Sequence, residues 1–235
     1  MRRALPIFVL CLGACAIGHT QNYDADIGAE YLGAKYVRDA LGEGTAPDSD
    51  PLIRFDAFDC TTFVETVLAD GNVDTLNKIR YRDGAVSFIN RNHFIETEWL
   101  PNNASMLENV SAEYGNVLYR DVTINRAAWL KRVHNITVPA SMRHARIAYI
   151  PYSAIDNINN DVPLIVLFIV GKSDLSDKIG TDLAVVHMGF LMPGGRILRH
   201  ASSSAGRVVD SDMREYINMR RNMQNNIGIS LVKIK

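Results

Sequence analysis

The sequence predicts an α+β domain in which helices gather toward the N-terminus and a run of antiparallel strands follows. Three observations carry that reading. Apolar residues recur at close to helical spacing early in the chain. Leu164 to Val170 is an unbroken apolar run between Pro163 and Gly171, as expected of a strand covered on both faces. Ala184 to Ala201 places two β-rich runs on either side of Met192-Pro-Gly-Gly195, the pattern of a hairpin.

The chain opens Met1-Arg-Arg, continues with the apolar run Ala4 to Leu12 and then reaches small residues, the three-part pattern of an export signal over residues 1–15. Leu12-Gly13-Ala14-Cys15 has the form of a bacterial lipobox, which makes Cys15 the expected lipidation site; cleavage after Ala16 is the alternative. About ten apolar residues are too few to cross a bilayer, which takes about twenty. Lipid at Cys15 is therefore the expected membrane contact, and an exported, periplasmic lipoprotein the expected location.

Residues 20–235 are long enough for one domain with a substantial core, and the apolar fraction of 47% is ordinary for a globular chain. With a net charge of −1 and no basic patch interleaved with aromatics, nothing points to a nucleic acid. The domain is expected to act as a monomer. Ile27 to Leu41 has the spacing of a helix ended by Gly42 and Gly44. Phe55 to Ala69 reads as a loop feeding a second helix, capped by Asp59 or by Thr62 with Glu65, so that Cys60 falls in or beside the first turn. Residues 72–142 read as an insertion over the sheet, with short helices around Val86 to Glu96 and Ala127 to Val133. Arg146 to Ile150 and Leu164 to Val170 read as strands, Met213 to Asn218 as a short helix, and Ile227 to Ile234 as a closing strand.

Cys11 and Cys15 lie in the leader, so Cys60 is the one cysteine of the expected domain, with no disulfide partner to explain it in an exported protein. A thiol needs help to become a nucleophile; a helix N-terminus favours the thiolate, and a facing imidazole can take the proton. His187 and His200 can supply that imidazole and a group to orient it. If Leu191 pairs with Arg196 across a four-residue loop, His187 lies opposite His200. If Gly194-Gly195 makes a two-residue turn, His200 is diagonal to His187 but on the same face; a three-residue loop would separate them. The backbone N–H of Cys60 would face a developing oxyanion. A zinc site made of the same three side chains is the rival, without support from any close ligand pair.

Asp59-Cys-Thr-Thr-Phe-Val-Glu65 and His187-Met-Gly-Phe-Leu-Met-Pro-Gly-Gly-Arg-Ile-Leu-Arg-His200-Ala-Ser-Ser resemble the two core motifs of the NlpC-type papain-like cell-wall cysteine hydrolases. The resemblance is closest to their N-acetylmuramoyl-L-alanine amidase-like branch, formerly a domain of unknown function. Ile79-Arg-Tyr-Arg-Asp-Gly84, Arg91 to Trp99 and Tyr216 to Ile234 extend it over nearly the whole chain after the leader. Val186 departs from the serine often found before the histidine. The resemblance implies a papain-like fold, a metal-independent Cys60-His187-His200 triad without cofactor, and a peptidoglycan or muropeptide substrate cut between N-acetylmuramic acid and L-alanine. A γ-D-glutamyl-diaminopimelate endopeptidase and a catalytically silent muropeptide-binding lipoprotein are the alternatives. Tyr81 and Arg82 are candidates for a substrate carboxylate, and His93 and Trp99 for a sugar subsite.

Overall fold

A computed structural model of the chain describes residues 26–155, 158–172 and 175–235. The expected leader over residues 1–15, with Cys15, lies outside the described residues. In chain order the elements are β1 (Lys35–Tyr36), β2 (Ala57–Phe58), α1 (Cys60–Leu68), α2 (Val73–Arg80), a π-helical turn (Ile95–Trp99), α3 (Leu100–Asn102), β3 (Leu107–Asn109), α4 (Ser111–Tyr114), β4 (Leu118–Asn125) and α5 (Arg126–His134). They continue with β5 (Met142–Pro151), β6 (Leu164–Val170), α6 (Leu175–Ile179), β7 (Val185–Leu191), β8 (Ile197–Ser202), β9 (Arg207–Asp212), α7 (Met213–Arg221) and β10 (Asn226–Ile234). The strands form one mixed sheet ordered β2-β1-β9-β8-β7-β6-β10-β5-β4, with β3 against β10; β1 and β2 are parallel, and the other pairs antiparallel.

All seven residues of β6 are buried, because the sheet is covered on both faces at its centre. Ile165, Leu167 and Ile169 join the core that contains Phe63, Val64, Val67 and Leu68 of α1. Leu164, Val166 and Phe168 join the core that contains Met213 and Ile217 of α7. Each apolar side chain removed from water contributes roughly 1.5–3 kcal/mol, so these two cores hold α1 and α7 to opposite faces of the sheet.

Helix α1 starts where the sequence places it. The Asp59 carboxylate accepts the Thr62 N–H at 2.8 Å, and the Thr62 hydroxyl accepts the Asp59 N–H at 2.9 Å, so two of the helix's unpaired donors are satisfied reciprocally. The helix stops at Leu68, after which Asp70 and Gly71 take left-handed conformations and Asn72 caps α2 through the Thr75 N–H. Because α1 is buried almost all round, Glu65 is buried too, and its carboxylate needs a partner. Arg80 of α2 supplies one at 2.7 Å, with both side chains nearly inaccessible to water.

Three expectations are corrected. Ile27 to Leu41 is not one helix: Gly28, Gly33 and Asp39 adopt positive φ, leaving a single 3-10 turn at Ala29–Tyr31 and freeing Lys35–Tyr36 to pair with β2 and β9. Val86 to Glu96 is a loop tied by a Tyr81–Arg91 bridge, with helical structure beginning only at the π turn. Residues 72–142 do not merely lie over the sheet; they contribute β3 and β4 to it. Strands β5, β6 and β10 and helices α5 and α7 fall where the sequence places them, within a few residues.

Removing one member of a buried ion pair leaves the other charge stranded, at a cost of about 3–5 kcal/mol. Glu65→Ala should therefore lower unfolding stability by about that amount, read as a shift in the urea midpoint with little change in slope.

Candidate active site

Strands β7 and β8 hydrogen-bond as Phe190 to Arg199 and Leu191 to Leu198, and the Met192 N–H donates to Ile197 at 2.9 Å. This is the diagonal register, not the one that sets His187 opposite His200. Pro193 and Gly194 sit at the corner of a turn closed by the Gly195 N–H on the Met192 carbonyl at 3.1 Å; Gly194 has φ +82, the conformation a type II turn requires after Pro. The register brings His200 beside Gly189. A Cβ at position 189 would lie 2.7 Å from the Cβ of His200, so only glycine permits this approach. The two imidazoles then meet, with His187 Nε2 2.7 Å from His200 Nδ1 and their planes at 77°.

A bulge aims His187. Opposite β6, Phe168 pairs with His187 but Ile169 with Val185, leaving Val186 as an extra residue. Val185 packs into the α1-side core, and Val186 into the α7-side core. His187 follows on the α7 side, tilted against Phe168 with ring centres 5.5 Å apart. Bulges commonly re-aim a side chain in this way. Buried Glu96, from the π turn, steadies the entry by accepting the Ala184 and Val185 N–H groups at 2.6 and 2.7 Å.

Cys60, at the first position of α1, and His187 line one cavity of about 360 Å³, together with Thr61, Asn92, His93, Ile95, Leu183, Val185, Val186 and Met188. The Met188 backbone lies close enough to the Cys60 sulfur to favour its thiolate. The pairing of β7 with β8 covers Phe190 and Leu191, so Met188 lies just past its end.

Electrostatics favour neutral groups at rest. Burial, reinforced by the Asp59 carboxylate, pushes the Cys60 thiol up to about 11, against the opposing effects of Met188 and Thr61. Burial, His200 and the Arg220 guanidinium hold His187 well below the usual imidazole range. Burial and Arg220 lower His200 to about 4 despite Asp210. Burial thus favours a neutral thiol and neutral imidazoles, with Cys60 and His187 lining the same cavity. His187 Nε2 is occupied by His200, which leaves Nδ1 to receive a proton.

The model of the N-acetylmuramoyl-L-alanine amidase-like (AmiA-like) family matches residues 26–225. The chain belongs to this family. A DUF1460 protein of Legionella pneumophila strain Philadelphia 1 shares 26% identity and a TM-score of 0.82, over 89% of this chain and 87% of its own. An N-acetylmuramoyl-L-alanine amidase of Bacteroides uniformis has 24% identity and a TM-score of 0.67, over 90% and 98%. A putative xylanase of Bacteroides fragilis has 22% and 0.63, over 89% and 100%. The last two show likeness of fold alone. No curated protein matches the chain.

Within this amidase-like chain the four expected substrate contacts part company. His93 lines the Cys60 cavity, with Nε2 2.8 Å from the Phe88 carbonyl and its basicity strongly lowered by burial. Trp99 is fully buried in the α1-side core, away from the cavity lining. Tyr81 is also fully buried, its hydroxyl donating to the Gly42 carbonyl at 3.2 Å. Arg82 is exposed in a turn and reaches Asn90. Local motifs could not distinguish these fates, because burial of an aromatic depends on long-range packing. The sequence also leaves three neighbours of the imidazoles unassigned. Ser211 Oγ is 3.1 Å from His200 Nε2, the Tyr216 ring lies 5.0 Å from that of His200 and 5.9 Å from that of His187, and Arg220 stacks on Tyr216 at 5.4 Å. The four-residue spacing of Tyr216 and Arg220 on α7 was the available signal.

Because the folded state disfavours protonated His200, the unfolded chain binds more protons between about pH 6.5 and pH 4. The associated stability is fully present above that window and is lost as pH falls through it, by about 3 kcal/mol at about 1.4 kcal/mol per pH unit. Urea midpoints measured from neutral to about pH 4 should fall accordingly, and His200→Gln should reduce the slope.

Proposed function

We propose that this chain is a cysteine amidohydrolase of peptidoglycan or muropeptides, cutting the amide between the lactyl group of N-acetylmuramic acid and L-alanine. The observation that carries the proposal is the pairing of Cys60, at a capped helix start, with His187 across one cavity, His187 being held from behind by His200 at 2.7 Å. Membership of an amidase-like family supports the bond class, and the name of the Bacteroides uniformis neighbour supports the particular amide. We read the arrangement as papain-like and of the NlpC type.

In this mechanism the Cys60 sulfur attacks the amide carbonyl carbon while its proton passes to His187 Nδ1, so no free thiolate need accumulate. The carbonyl electrons move onto oxygen. The Cys60 N–H, at the first helical turn and without an intrahelical acceptor, faces that oxyanion. As the tetrahedral adduct collapses, the C–N bond breaks and His187 returns the proton to the amino group of L-alanine. Water then attacks the thioester, one of its protons passing through His187 to the departing sulfur and restoring the thiol, while the lactyl acid released gives its own proton to solvent. The cycle uses no metal or cofactor. His200 orients His187 by accepting its Nε2–H.

Incubation with purified muropeptides, followed by mass analysis, should release free peptide stems. Shortened stems would instead mean an endopeptidase, and bound but unchanged substrate a binding protein. Cys60→Ala should lower the rate by at least about a thousandfold, since loss of a nucleophile leaves only binding and oxyanion stabilisation.

The lipobox supports export, with Cys15 as an N-terminal lipid anchor and the muropeptide-containing periplasm as the working compartment of a monomer. Intact-mass measurement of protein taken from its native membrane should show a chain beginning at Cys15 with added acyl mass; a chain beginning after Ala16 would refute lipidation.

A further inference from the structure

We propose that Ser211 is a positioning residue, the last member of a relay His187–His200–Ser211 that fixes the tautomer of His200 so that His187 can accept the Cys60 proton. This deepens the amidase reading and rests on it for its link to turnover. Strand β9 pairs with β8 so that Val209 lies opposite His200 and Ser211 opposite Leu198, which puts Ser211 diagonal to His200 on the same face. Its Oγ is 3.1 Å from His200 Nε2. His200 is 1% exposed, so Nε2 has no recourse to bulk water. A buried ring nitrogen without a partner is costly.

Proton bookkeeping gives the hydrogen bond its direction. Once His187 has taken the thiol proton on Nδ1, both of its nitrogens carry hydrogen, and its Nε2–H donates to His200 Nδ1 at 2.7 Å. His200 Nδ1 must then be bare, because two N–H groups cannot face each other at that distance. The single proton of His200 therefore sits on Nε2 and is donated to Ser211 Oγ. The opposite tautomer of His200 would place its proton on Nδ1 and prevent His187 from holding hydrogen on both nitrogens. Ser211 is anchored for this role, since the next residue, Asp212, caps α7 through the Glu215 N–H at 3.0 Å.

The other groups near His200 are His187 from β7 and Tyr216 and Arg220 from α7, while Asp210 of β9 lies on the opposite face, held by Arg199 at 2.8 and 2.9 Å. None of them is hydrogen-bonded to His200 Nε2, and Asp210 is committed to Arg199. Ser211 is thus distinguished by geometry from the charges around it.

The test compares Ser211→Ala, Ser211→Thr and Ser211→Asp with the parent in three measurements: thermal unfolding, the pH profile of Cys60 alkylation by iodoacetamide, and kcat and KM on muropeptides. Ser211→Ala should slow alkylation and kcat by about five- to tenfold, as expected for losing one hydrogen bond between neutral groups, with KM within about twofold. Ser211→Thr should recover the parental rates, and the acceptor-only Ser211→Asp should move the acid limb of the alkylation profile to higher pH. Parental alkylation in Ser211→Ala, or failure of Ser211→Thr to recover it while melting like the parent, would overturn the proposal. If the parent leaves muropeptides untouched but alkylation still depends on Ser211 in this way, the amidase reading fails and the relay stands.

Discussion

The close approach of Gly189 to His200 is the constraint on which the site depends. Any side chain at 189 would collide with the Cβ of His200 and with the Arg199 carbonyl, each 2.7 Å from the position a Cβ would take. With glycine there, β7 and β8 can be paired at Phe190–Leu191 and yet hold two imidazoles in contact just where the pairing ends. The end of pairing matters as much as the pairing. Just past it the Met188 backbone lies against the Cys60 sulfur and favours its thiolate, so the site sits where β7 leaves β8.

The two cores explain how a helix and a strand on different faces come to share a cavity. Helix α1 belongs to one face, and the Phe168–Tyr216 wall around the histidines to the other. The Val186 bulge carries His187 from the face that Val185 occupies to the face of Phe168 without a break in β7. Glu96 holds the strand just before this change of face by taking both backbone donors on one buried oxygen. The π-helical turn that carries Glu96 is therefore coupled to the aim of His187 through two hydrogen bonds.

The parts of the site legible in the sequence are those set by local chemistry. Asp59-Cys60-Thr61-Thr62 names its own helix start, because a carboxylate and a hydroxyl three residues apart satisfy each other's backbone donors. The shared face of His187 and His200 follows from the period of two, which survives in either register with an even-numbered loop. The register itself was not legible, since it turns on how the Pro193–Gly194 corner closes. Nor could spacing reveal that Ile27 to Leu41 is broken, because its apolar positions serve a two-residue strand and a loop that borrow their order from β2 and β9. Tyr81 and Trp99 look like substrate contacts within their motifs and are core residues in space. Ser211 carries no motif; it matters only because β9 lies beside β8.

The electrostatic setting assigns His200 a narrower part than proton carrier. Arg220 stacks on Phe168 and Tyr216, whose rings flank the imidazoles, and its charge disfavours a second cation nearby. Burial and Arg220 disfavour a charge on either imidazole, and His200, 2.7 Å from His187 and 3.1 Å from Ser211, is placed to orient His187. Its contribution is that of a fixed dipole: one nitrogen accepts from His187, and the other donates outward. A carboxylate in the same place would attract the imidazolium more strongly, but it would also have to be buried, at a large desolvation cost. A neutral ring avoids that cost and gives up attraction in return. What it gains is direction, because a neutral imidazole with a donor on one nitrogen and an acceptor on the other can orient His187 only when its proton is on the correct side.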